Sequence, residues 1–174
     1  MSLDNSFRAY GRYLVTWNGL QPVLDVAIIR EAGLALAEGA ILVAALNQKS
    51  RLTVLRGLLA HSGGEKADVI PLLIEITQSA KKQPMLQGAA LAGGPNSLRF
   101  TRPEVAGRLA PSMAEYTAEE MEELADELAD QVETLTEALA VTPSDVAELR
   151  SIGEDVVTRR RKDKDVDADE HDPD

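Results

Sequence analysis

The chain contains no cysteine, so disulfides and thiolate metal sites are excluded. Its only histidines are His61 and His171, which argues against a multi-histidine metal centre and leaves little for proton shuttling near neutral pH. Aromatic residues are only 3% of the 174, while apolar residues reach 44%. The core must therefore be built from Leu, Ile, Val and Ala, a composition that favours helix packed on helix. No apolar run is long enough to span a bilayer, the longest being Ala40 to Leu46. Met1 to Asn5 is polar and lacks the basic start of a secretory leader. These features describe a soluble, cytoplasmic, acidic protein without membrane, metal or cofactor.

Charge is present but unevenly placed. The total is -11, yet residues 1–114 hold twelve basic against eight acidic side chains. Residues 115–139 hold ten acids and no base. One helix thus carries most of the negative charge, which argues against a general nucleic-acid-coating role without excluding nucleic acid elsewhere on the chain. The acidic face from Glu119 to Glu137 reads as a solvated helix face, or as a dock for a basic partner.

Apolar spacing predicts a succession of helices. Phe7, Tyr10, Leu14 and Trp17 step by three and four, and Leu24 and Ile28 continue that face, with a kink or break expected at Pro22. Further helices are expected over 34–46, over 50–60 ending at Ser62-Gly63-Gly64, and from about Glu65 to Lys82 with Pro71 near its start. Residues 88–112, rich in Gly, Ala, Pro and Ser, read as a long loop with at most a short strand at 97–101. Thr117-Ala118-Glu119-Glu120 is a capping box opening a helix to Leu139, and Thr142-Pro143 opens another to about Thr158. The expected fold is an all-α single-domain helical bundle over 1–158, followed by a disordered charged tail over 159–174.

One segment carries more than helix signals. Lys82-Gln83-Pro84-Met85-Leu86-Gln87-Gly88 follows a helix, and Trp17-Asn18-Gly19-Leu20-Gln21 lies in the first helix. Their order and spacing resemble the HEPN superfamily of small all-α proteins. In that family an Arg-Asn-x-x-x-His-Gly segment cleaves RNA without metal, and two protomers pair so that their motifs face one cleft. The resemblance covers roughly residues 4–140 and implies a homodimer. The shortage of bulky aromatics to close a larger core points the same way.

The residues depart from that chemistry. Gln87 stands in the place of the histidine, and an amide exchanges no proton near neutral pH. Lys82 replaces the arginine, keeping charge and losing the fork, and Gln83 replaces the asparagine. Gln21 stands where many members carry an acid, while Gly88 is kept. The segment Lys82, Gln83, Gln87 and Gly88 with Gln21 is therefore a degenerate groove, with no catalytic residue assigned. Lys81, Lys82, Arg51 and Arg56 are the candidate anion-binding side chains, although lysines at a helix C-terminus also suit the helix dipole.

The reading that follows is a non-catalytic, pseudoenzyme-like module. It acts as a dimeric interaction or regulatory protein, in a toxin–antitoxin or defence setting, with a protein partner. Two alternatives stand beside it. One is a divergent metal-independent ribonuclease using Lys82, with His61 as the only histidine ahead of the tail. The other is a protein that binds RNA or a nucleotide without cleaving it.

Overall fold

A computed structural model describes residues 3–82, 84–86, 89–105 and 109–152. The expectation of a disordered tail over 159–174 falls outside the described residues, as do the motif residues Gln83, Gln87 and Gly88. The chain runs through α1 (Leu3–Glu31), α2 (Leu36–Ala44), α3 (Gln48–Ser62), a 3-10 turn (Glu65–Val69) and α4 (Ile70–Lys82). After a second 3-10 turn (Pro84–Leu86) come β1 (Ala89–Gly94), β2 (Ser97–Val105), β3 (Leu109–Thr117) and α5 (Ala118–Ala138). A last helix, α6, covers residues 143–152.

The all-α expectation is wrong. The stretch read as a loop forms a three-stranded antiparallel sheet in the order β1-β2-β3, so the fold is mixed α and β. Its composition hides it, because Ala, Gly and Pro are poor strand formers. The stabilisation is tertiary: Leu98 and Phe100 alternate onto the inner face of β2 and are fully buried, while Arg99 between them is exposed. Phe100 lies between two other aromatics, 5.1 Å from the ring of Tyr10 and 6.0 Å from that of Tyr116. Pro103 is tolerated in the middle strand because β1 pairs only as far as Ala89 with Thr101. Beyond that point, among the described residues, β2 has a neighbour on one side only, and Pro103 sits opposite Pro111.

α1 is the spine. At 1.5 Å per residue its 29 residues span about 43 Å, enough to cross two cores. Around its second half, Leu20, Leu24, Ile28, Leu55, Leu59, Leu73, Ile76 and Leu135 make the larger core. Around its first half, Ala9, Tyr13, Met85, Leu98, Phe100, Met121 and Ala125 make the smaller one, under the sheet. Trp17 and Val132 pack against both. α5 lies parallel to α1, since Arg12 pairs with Glu122 and Asp126 while Arg30 reaches the Ala140 carbonyl and Asp145.

The predicted face of α1 is shifted. Ser6, Ala9 and Tyr13 are buried, and Phe7 is exposed. Ala9 shares the smaller core with Ala118 and Ala125 of α5. No break occurs at Pro22, and the helix continues to Glu31. From Val23 to Ile29 every residue is buried, so packing on all sides offsets the missing backbone hydrogen bond.

The helix signals at Thr117, Thr142 and Ser62-Gly63-Gly64 are observed, while the expected end of the last helix near Thr158 lies outside the described residues. Thr117 accepts from the Glu120 amide while Glu120 accepts from the Thr117 amide at 2.7 Å. Thr142 and Asp145 repeat that arrangement at the start of α6, with Asp in the place of Glu. Asn47 caps α3, and Gly63 and Gly64 end it at positive φ.

Candidate functional site

The most strongly built polar site sits where α1, α2 and α3 meet. Asp25 is on α1 at 6% exposure, in the run where the spine is buried on all sides. Arg51, one turn into α3 at 5% exposure, donates its Nε to Asp25 Oδ1 at 2.5 Å. Its Nη2 donates to the Val43 carbonyl at 2.8 Å, and its Nη1 donates to the Leu46 carbonyl. Those carbonyls lie in the last turn of α2 and just beyond it, where helical carbonyls run short of i+4 donors, although Val43 also accepts from the Leu46 amide at 3.0 Å. Arg51 therefore caps α2 and pairs with α1 at once. Gln21, one turn before Asp25, hydrogen-bonds the same carboxylate. Burial pushes the Asp25 carboxyl up, and the bonds from Arg51 and Gln21 pull it only partly back.

This geometry redraws the predicted site. Arg51 was expected to line a positive groove with Lys82; instead its guanidinium is buried and its donors are engaged by Asp25 and two carbonyls, so no external anion reaches it. Arg56 is exposed on the same helix, and the two arginines do not converge. Gln21 belongs to the Asp25–Arg51 node. Lys81 and Lys82 close α4. Met85, inside the motif segment, is buried in the smaller core, and its carbonyl accepts from Tyr10 Oη at 3.2 Å. Tyr10 and Gln21 are about 16 Å apart along α1, so Gln21 and the Met85 turn belong to different ends of the spine. His61 is exposed on the last turn of α3.

A second polar cluster, not anticipated from the sequence, lies on the outer face of the sheet. Glu115 on β3 accepts from Ser97 Oγ, and from Arg99 Nη2 at 3.1 Å. The Ser97 hydrogen bond, followed by that from Arg99, holds the Glu115 carboxyl below its ordinary value. Gly93 makes room for it: a Cβ there would lie 2.7 Å from Glu115 Oε1. The register shift between Ala92 and Gly94 aims this glycine at the carboxylate. The only sequence signal for the cluster is the Gly93-Gly94-Pro95-Asn96 turn, which locates a hairpin without identifying the partner strand.

Neither cluster is arranged for proton transfer. The carboxylates are held by fixed donors, and burial raises the phenols of Tyr10, Tyr13 and Tyr116 above their ordinary value. Among the described residues no group of three or more His, Asp or Glu side chains could hold a metal ion. Among them, too, no helix is long and apolar enough to cross a membrane. Compared with known proteins, the chain matches no protein-family model, no curated protein and no solved structure.

Proposed function

We propose that the chain is a non-catalytic protein-interaction module that works as a homodimer. The observation that supports this reading is the display of large apolar side chains in two places. On α2, Ile41 is 69% and Leu42 47% exposed, and Ala37, Ala44 and Ala45 are exposed with them. Glu38 is the only charged residue of that helix. On the outer face of the sheet, Leu91 is 54% and Met113 65% exposed. Single exposed apolar residues are ordinary, but neighbouring ones on a regular element suit a surface that is covered in the working state.

The amino acids of the degenerate motif agree with a non-catalytic role, because Gln87 and Gln83 supply no proton shuttle. The HEPN-like resemblance enters here as ancestry, with the sheet as an addition to the expected bundle. Two measurements test the reading. Light scattering across a concentration series gives a dimer at the upper end, and incubation with single-stranded RNA in EDTA gives no cleavage. Cleavage that Lys82→Ala abolishes would establish the ribonuclease alternative, and a monomer at every concentration would remove the dimer.

A further inference from the structure

The two edges of the sheet differ. β3 is guarded by Pro111, which has no amide to offer a further strand. β1 reads Ala89-Ala90-Leu91-Ala92-Gly93-Gly94, with no charge and no proline. Among the described residues, the order β1-β2-β3 leaves the far side of β1 unpaired, with amides and carbonyls at alternate residues directed away from β2. The register shift at Gly93 limits the regular part of this edge to Ala89–Ala92.

We infer that β1 pairs antiparallel with β1 of a second copy about Leu91, joining two three-stranded sheets into one of six strands. This rests on the homodimeric reading above and names its surface. A second copy suits the edge for three reasons. The strand is self-complementary, because its small uncharged side chains put no like charges opposite one another across a two-fold axis. Leu91, half exposed on the outer face, gains its own counterpart as a cross-strand neighbour. One open edge per chain among the described residues closes the assembly at two copies, since the outermost strands are then the guarded β3 edges. The charge of the neighbouring row does not oppose the approach, because Arg99 and Glu115 neutralise each other within the sheet. A contact through so short a strand is small, and its dissociation constant should be on the order of micromolar.

The experiment uses the full chain and exploits its lack of cysteine. Leu91→Cys and Ile41→Cys are each treated with a short bis-maleimide cross-linker, and the dissociation constants of Leu91→Lys and Met113→Lys are measured by sedimentation. The expected result is covalent dimer from Leu91→Cys alone. Leu91→Lys should weaken the dimer at least about tenfold, by opposing two like charges across the axis, with Met113→Lys unchanged. Circular dichroism of each lysine variant confirms that the half-exposed positions leave the fold intact. A wild-type dimer that Leu91→Lys does not weaken, or that cross-links through Ile41→Cys instead, overturns the β1 pairing and leaves the homodimeric reading standing. A wild type monomeric throughout overturns both. RNA cleavage overturns the non-catalytic reading and leaves the pairing intact.

Discussion

Replacing Arg51 by methionine should be among the most destabilising single changes in this protein. The stem is kept, so packing against the larger core changes little, and the guanidinium is lost. Three acceptors then lose the guanidinium: the Asp25 carboxylate, which keeps only Gln21, the Val43 carbonyl, which keeps the Leu46 amide at 3.0 Å, and the Leu46 carbonyl. Breaking one partner of a buried ion pair costs about 3–5 kcal/mol, because the other charge is left buried without compensation. Total stability for a domain is about 5–15 kcal/mol, so a large fraction is at stake. With a urea slope of about 2 kcal/mol per molar, the midpoint should fall by about 2 M.

Trp17 is the only tryptophan and packs against both cores, so its fluorescence follows the whole unfolding transition. Arg51→Met combined with Asp25→Leu should recover most of the loss, since the uncompensated charge is gone. A residual of about 1 kcal/mol should persist, chiefly for the Leu46 carbonyl, since Val43 keeps the Leu46 amide. Arg56→Met, at an exposed position on the same helix, should stay within about 0.5 kcal/mol of wild type. A midpoint shift below about 0.5 M for Arg51→Met would refute the argument that this node staples three helices together.

Two further outcomes follow from the same geometry. The Asp25 carboxyl binds its proton more tightly folded than unfolded, so its contribution to stability falls as pH rises from the unfolded value through the folded one. The stability of wild type minus that of Asp25→Asn, from urea titrations across the acid range, should therefore shrink as pH increases; a rise would reverse the assigned direction. Gly39→Ala should destabilise by about 1–3 kcal/mol through overpacking. The new Cβ would lie 2.5 Å from Ile29 Cγ1 on the buried face of α1, and thermal melts should show the loss.

The sequence alone determined much of the helical frame. The capping box at Thr117, the stop at Ser62-Gly63-Gly64 and the end of α4 before Pro84 are local signals. Each works through a hydrogen bond or a torsion within a few residues, so each could be read without knowing what packs nearby. The sheet could not be read that way. Alanine, glycine and proline between Gly88 and Ser112 carry no strand preference, and only the burial of Leu98 and Phe100 against Tyr10, Tyr13 and Met121 makes that stretch extended.

The polar sites divide along the same line. Arg51 looks like any basic residue on an amphipathic helix, and its partner Asp25 lies on another helix. Only the approach of α3 to α1 decides that this arginine is buried and spoken for, while Arg56 on the same helix is free to meet solvent. Charge total, helix ends and the missing proton shuttle at Gln87 are properties of the chain as written. Which charges face one another, and which strand edge stands open, depend on contacts between distant residues and are decided only by the tertiary structure.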